Sequence, residues 1–368
     1  MKNGNHRDGT GIDRKLHNPI EDRLIPLESL DLSAVRTVND LVQAMGKTAF
    51  TGRQVGEAAD VLEAMARDTE CFVVMTLSGA MTVAKQSLII ADLIDRGIVN
   101  AIVSTGALMA HGLVEATGRA HFRYNPDVSD TELYEQGYNR VYDTLEPEQN
   151  LDDVEEVMSH VLESWDHSEV LCSYKLNHAI GEYLAKHAKG QRGILKSAYE
   201  KGVPVFVPAF TDSELGLDVA LNNRLRESTG RHKLRFDPFE DLEHFAATLL
   251  RQTRLGIFTI GGGVPRNWAQ QFGPFCELRH RRLGENVPLK RYHYGVRICP
   301  EPVHWGGLSG SPYSEAISWG KFVPPAEGGK FGELFVDATV GLPLVVAAVL
   351  ERLGKGKAAA KKKVGARK

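Results

Sequence analysis

The chain has 368 residues, 42% of them hydrophobic and 25% charged, an ordinary globular composition that excludes a disordered or fibrous protein. Its net charge of −3 hides an asymmetry: the last 14 residues carry seven Lys or Arg and no acid, so the body before them stands at −10. An acidic body suits cationic partners and argues against a nucleic-acid surface, and no apolar run reaches the roughly 18 residues of a membrane span.

Residues 1–35 read as a loose N-terminal arm, 36–354 as one α/β domain, and 355–368 as a basic, disordered tail. Residues 36–67 have a helical pattern. CFVVMTL (71–77) is a short β-branched run closed by SGAM, the mark of a buried parallel strand feeding a turn. TVAKQSLIIADLIDRG (82–97) has helical period and a terminal Gly, and VNAIVST (99–105) is a second strand, which completes a β-α-β unit. Residues 112–150 are polar and aromatic and read as an excursion loop. Helices are expected at 151–165, 176–188 and 192–201, then a third strand, VPVFVPAF (203–210). A helix near 239–253 precedes a fourth strand, GIFTI (256–260). RYHYGVRICP (291–300) and ELFVDA (333–338) are the fifth and sixth, and VGLPLVVAAVL (340–350) is a buried helix. Strands alternating with helices predict a Rossmann-like, mostly parallel sheet with helices on both faces. Cys71, Cys172, Cys276 and Cys299 form no CxxC pair, and no secretory h-region is present, so free thiols in a reducing, cytoplasmic compartment are expected.

The strand ends share a character. Ser78-Gly79, Thr105-Gly106, Thr211-Asp212, Gly261-Gly262-Gly263 and Asp337 are small or acidic. In open α/β sheets ligands bind beyond the carboxyl ends of the strands, where glycines admit a phosphate and a carboxylate can hold ribose hydroxyls. The pattern fits a nucleotide; tight turns with no ligand are the plain alternative, since the GGG run does not match GxGxxG.

SGSPYSEAISWGKFVPP (309–325) contains one lysine, Lys321, far from any other cation and with only Glu315 as a nearby acid. A free lysine titrates near 10.4, so holding it neutral at pH 7 costs roughly 4.6 kcal/mol. Burial beside Trp319 and Phe322 would lower its pKa and expose a nucleophilic amine. The plain alternative is a surface lysine lying over Trp319. His280, His293 and His304 make no HExxH or similar metal set. LRHRRLGENVPLKRYHYGVR (278–297) is basic with interleaved Tyr, but one such stretch in an acidic body reads as a solvated face or subunit contact rather than an RNA site.

SEAISWGKF resembles the active-site signature of the deoxyhypusine synthase family, a Glu-Ala-(Val/Ile)-Ser-Trp-Gly-Lys run. TLSGAM, IVSTGA, VPAFTDSELG, TIGGGVPRN and FVDATVGLPLVVA follow the family's order, so the resemblance spans residues 70–350. It implies an NAD-dependent homotetramer with active sites between paired subunits. NAD takes a hydride from spermidine to give an imine, Lys321 attacks, and 1,3-diaminopropane leaves. The lysine-borne 4-aminobutyl group then passes to an acceptor amine. By resemblance Glu315 and Trp319 bind the polyamine. Ser78, Gly79, Thr105, Gly106, Asp212, Gly261, Gly262, Gly263 and Asp337 contact NAD.

The chain also departs from the pattern. Asn267 stands where the family has a proton-carrying histidine. Leu217 and Leu308 stand at two carboxylate positions, with Asp218 adjacent to the first as a substitute, and Trp305 stands at a third. His111 and His304 are candidates to carry the proton instead. A rewritten amine-binding shell leaves two acceptors open: a protein lysine, giving deoxyhypusine, or putrescine, giving homospermidine. A catalytically silent NAD- or polyamine-binding scaffold is the rival reading.

Overall fold

A computed structural model describes the backbone of residues 17–365 and the side chains of residues 17–354. Its centre is an all-parallel sheet of β1 (Cys71–Leu77), β2 (Ala101–Ser104), β3 (Val205–Phe206), β4 (Arg254–Ile260), β5 (Tyr292–Ile298) and β6 (Lys330–Leu334). The spatial order is β3-β2-β1-β4-β5-β6. The chain steps outward from β1 to β3, then crosses back to start a second series on the other side of β1. The strand order therefore reverses between β1 and β4, the place where such sheets open a ligand crevice. Ser104, Leu77, Ile260, Ile298 and Leu334 are aligned across neighbouring strands, so the carboxyl ends are flush and the turns after them share one edge.

Both faces of the sheet are covered, which is why the central strands β1, β2 and β4 are largely apolar rather than alternating. Val73, Met75 and Leu77 join one core with Ile102, Phe258 and Ile260; Val74 joins a second with Val103, Leu255 and Ile257. Helices Phe50–Arg67, Gly106–Ala116 and Glu148–Glu163 supply the first core. Pro238–Leu250, Gly263–Gln270, Phe272–Leu283 and Tyr313–Ser318 supply the second. Each fully buried Val, Leu or Ile contributes about 1.5–3 kcal/mol, so these two layers dominate the fold's stability.

The expected α/β sheet is present, with local differences. The third strand shrinks to Val205–Phe206, because Pro204 and Pro208 on either side have no N–H for a ladder. The segment 36–67 is two helices, Val38–Gly46 and Phe50–Arg67, the first opened by a Thr37/Asp40 capping box. The excursion at 112–150 is ordered. It holds the end of helix Gly106–Ala116, the short helix Asp130–Glu135, and an antiparallel sheet of Phe122–Arg123, Thr144–Pro147 and Tyr138–Val141. The final helix, Ala338–Gly365, runs into the basic segment, whose side chains lie outside the described residues. Among the described residues no helix is long and apolar enough to cross a membrane.

Candidate active site

The carboxyl edge of the sheet gathers the glycine turns. Gly79, Gly261 and Gly263 have φ of +76°, +75° and +62°, a left-handed region that a side chain would strain. Ser78 links β1 to β4: its Oγ accepts from the Gly262 N–H at 2.8 Å. Gly262 itself lies against Ser309, so that a Cβ there would stand 2.5 Å from the Ser309 Cα. Helices Gly106–Ala116 and Gly263–Gln270 both start at this edge. Neither has a side-chain cap, so their first N–H groups remain available to an anion. Thr105-Gly106 after β2 packs against Ser213, next to the exposed Asp212, and Asp337 follows β6 with its carboxylate accepting from the Thr339 N–H at 2.8 Å. Uncapped helix starts, glycine turns at the switch point and acids at both flanks make this edge fit a dinucleotide.

The lysine lies on the face of the second core. Tyr313–Ser318 is a short helix pinned by buried Tyr313 and Ala316, and Gly320, at φ +68°, turns the chain back beneath it. Phe322 is fully buried and bridges to Tyr292 at the start of β5. That anchor aims Lys321 into a cleft of about 250 Å³ whose lining includes Asn267, Gln271, Leu308, Glu315 and Trp319. The Lys321 Nζ donates to the Asn267 Oδ1 at 3.2 Å and lies 5.8 Å from the Trp319 ring centre. Among the described residues it has no acid within 4.0 Å. Burial, and then the Arg266 guanidinium, lower its pKa below the ordinary lysine value; Glu315 opposes them. The result is an amine biased toward its neutral, nucleophilic form.

Two residues that sequence reasoning overlooked shape the cleft. Arg266 and Arg297 are almost completely buried, and both donate to the Ser309 carbonyl, Arg266 at 3.5 Å. They hold the 308–309 segment as the cleft wall, and Arg266 adds the positive potential felt by Lys321. The rim is apolar and open: Trp305 is 71% exposed and Trp319 64%.

Lys321, Asn267, Glu315 and Trp319 thus meet in one place. Asp218 does not join them within the chain. It lines a separate pocket of about 230 Å³ between helices Glu148–Glu163 and Glu214–Ser228, where burial, Glu155 and Glu214 push its carboxyl up to about 6. His304 is exposed on the rim beside Trp305. His111 lies on a helix of the first core, its Nδ1 2.6 Å from the Glu146 carboxylate. A cavity of about 540 Å³ opens at the amino ends of β1, β2 and β3, and none of the glycine turns or cleft residues lines it.

Residues 40–349 match the profile of the deoxyhypusine synthase family. The chain belongs to this family. "Probable deoxyhypusine synthase 2" of Methanosarcina acetivorans is 32% identical over 318 residues, 86% of this chain and 88% of that one. "Deoxyhypusine synthase-like protein" of Chlorobaculum tepidum is 33% identical over 310 residues, 83% and 84% of the two chains. The crystal structure of an Entamoeba histolytica protein assigned as a deoxyhypusine synthase superposes with a TM-score of 0.57 over 88% of this chain and 96% of that one, at 15% identity. Deoxyhypusine synthases are transferases, and the sheet and its flanking helices are those of the family's fold.

Proposed function

We propose that this deoxyhypusine synthase family member moves a 4-aminobutyl group from spermidine, through an imine on Lys321, to an acceptor amine, with NAD as cofactor. The observation that carries the reading is the Lys321 amine: half-buried, depressed in pKa, and held by a neutral amide instead of a carboxylate. A neutral amine is what imine exchange needs. NAD, when bound along the glycine turns, supplies the hydride acceptor that oxidises the carbon beside the secondary nitrogen of spermidine. Ser78, Thr105, Asp212, Gly261 to Gly263 and Asp337 are the residues that would hold it.

The chain's own groups then have defined tasks. The Lys321 Nζ adds to the oxidised carbon, a C–N bond to the leaving amine breaks, and 1,3-diaminopropane departs with the proton that the lysine gave up. The acceptor amine later displaces Lys321 by the same exchange, which leaves the group on the acceptor as an imine. Return of the hydride that the reduced cofactor would hold converts it to the secondary-amine product. Asn267 orients the amine through its carbonyl; an amide cannot take up the proton, so that task falls to another group or to solvent. Glu315 offers a carboxylate to a terminal ammonium, and the exposed face of Trp319 suits an alkylammonium chain. Leu308 and Trp305 bring no charge to the places where a carboxylate was expected, so the site has fewer anchors for a long cationic substrate.

The open apolar rim of Trp305, Leu308 and Trp319 supports closure of the site by a second subunit and hence the homotetramer that the resemblance implies. A small diamine such as putrescine suits a cleft of about 250 Å³ better than a protein loop does, which favours homospermidine over deoxyhypusine as product. Incubation with NAD and spermidine, with and without putrescine, tests this by mass analysis of the amines. Homospermidine with equimolar 1,3-diaminopropane supports the small-amine reading. Diaminopropane without transfer to putrescine redirects the acceptor to a protein lysine. No consumption of spermidine refutes the donor half-reaction and leaves a binding scaffold.

A further inference from the structure

On the other face of the sheet from Lys321, three side chains from the segment 111–146 converge. His111 comes from the helix after β2, His121 from the start of the excursion, and Glu146 from its strand Thr144–Pro147. One ligand-capable atom from each lies within 4.8 Å of the other two. The His121 side chain is fully buried, that of Glu146 is 1% exposed and that of His111 16%. His111 Nδ1 is 2.6 Å from one Glu146 oxygen, and His121 Nε2 is 3.4 Å from the other. Beyond these contacts with one another, His111 Nδ1, His121 Nε2 and Glu146 Oε1 have no hydrogen-bond partner. A fourth buried atom without a hydrogen-bond partner, Glu214 Oε2, belongs to a carboxylate close enough to act electrostatically on His111. A buried polar cluster satisfied only within itself is costly unless something further satisfies it.

We infer that His111, His121 and Glu146 form a binding site for a divalent first-row transition cation, of which zinc and cobalt are the fitting probes. Two imidazoles and one carboxylate are a borderline-soft donor set that suits these ions and not the all-oxygen preference of magnesium or calcium. Bonds near 2.0–2.1 Å in a tetrahedron separate ligand atoms by about 3.3 Å, so the 3.4 Å between His121 Nε2 and Glu146 Oε1 already fits, and all three ligand atoms lie within 4.8 Å of one another. The ion would clip the three-stranded excursion to the helix after β2. The Asn150 Nδ2, which donates to the Ala120 carbonyl at 3.0 Å, marks the same junction.

Lys85 controls access to this site. Its Nζ lies 2.8 Å from the His121 Nδ1 and 2.9 Å from a Glu115 carboxylate oxygen. An ion on Nε2 requires a proton on Nδ1, so Lys85 must turn from His121 onto Glu115 as the metal enters. It also repels the cation. Replacing Lys85 with methionine should therefore tighten binding by about 10-fold, the scale on which groups behind a ligand tune a metal site.

The test uses the full chain after dialysis against a chelator. Co²⁺ is titrated and followed by its visible ligand-field absorption, and Zn²⁺ by competition and by thermal shift. One equivalent with a tetrahedral spectrum and a raised melting temperature is expected. Glu146→Gln and His121→Asn should each weaken binding by more than about 100-fold, since they remove a ligand and not merely its support. Lys85→Met keeps the inference falsifiable if those buried variants do not fold, because this side chain is 44% exposed. Tighter Co²⁺ binding by Lys85→Met supports the site. Unchanged or weaker binding, a wild-type chain with no ligand-field band, or a band that survives both ligand substitutions overturns it.

Discussion

Asn267→Asp changes one atom's identity and one unit of charge at the centre of the cleft. The new oxygen replaces the Nδ2, and the Oδ1 that now accepts from the Lys321 Nζ at 3.2 Å becomes part of a carboxylate. At an effective dielectric of about 20, two unit charges at this distance attract by about 5 kcal/mol. The cleft is open to water on its Trp319 side, so we take about half, near 2.6 kcal/mol, as the net stabilisation of the ammonium form. At neutral pH the neutral amine should become nearly 100-fold rarer. Trace acetylation with labelled acetic anhydride, read at the Lys321 peptide by mass spectrometry, reports that fraction directly. Exposed Lys330 serves as the internal control. The variant should label nearly 100-fold more slowly at Lys321 near pH 7, and recover toward the wild-type rate as the pH rises to about 10. Transfer activity should fall in parallel. Unchanged or faster labelling at Lys321 would refute the reasoning, because it would mean that Asn267 does not set the charge state of the amine.

Three further outcomes follow from the same geometry. Lys321→Arg keeps the charge but cannot form an imine, so aminobutyl transfer should drop by at least about 1,000-fold while NAD binding, measured by calorimetry, stays unchanged. Gly262→Ala puts a methyl group 2.5 Å from the Ser309 Cα, a backbone atom that cannot turn aside, so the chain should lose about 1–3 kcal/mol in denaturant unfolding and bind NAD more weakly. The Asp218 carboxyl, raised to about 6 by burial, favours the fold only while protonated: its contribution is intact below pH 4 and is lost as the pH rises through 6. Asp218→Asn should therefore leave stability unchanged near pH 4 and add about 1 kcal/mol above pH 6, less than the full linkage value because water reaches the group, as read from urea midpoints at the two pH values.

Much of the sheet is legible in the sequence because a strand covered on both faces must be a continuous apolar run. CFVVMTL and GIFTI read correctly for that reason. The third strand read too long, since two prolines in an apolar run are easy to pass over and decisive in a ladder. Helix Glu214–Ser228 went unread: its Leu217, Leu221 and Leu225 recur at helical spacing but are more than half exposed, so they mark no buried stripe. Within the cleft, Lys321, Glu315 and Trp319 are close in sequence and were legible as a motif. Asn267 was legible only through the resemblance. Arg266 and Arg297 were not, because an arginine that supports a loop from the core looks like any other arginine until the fold buries it. The His111, His121 and Glu146 cluster shows the same limit. Its members lie within residues 111–146 but follow no metal-binding spacing, so only the docking of the excursion brings them together.

The most direct test of the central claim is reductive trapping at Lys321. The chain is incubated with NAD and spermidine, reduced with borohydride, digested, and examined by mass spectrometry. Imine chemistry predicts a 4-aminobutyl adduct on Lys321, dependent on both NAD and spermidine and absent from Lys321→Arg. An unmodified Lys321 in a chain that binds both molecules would contradict the account and leave the cleft as a polyamine-binding site without covalent chemistry.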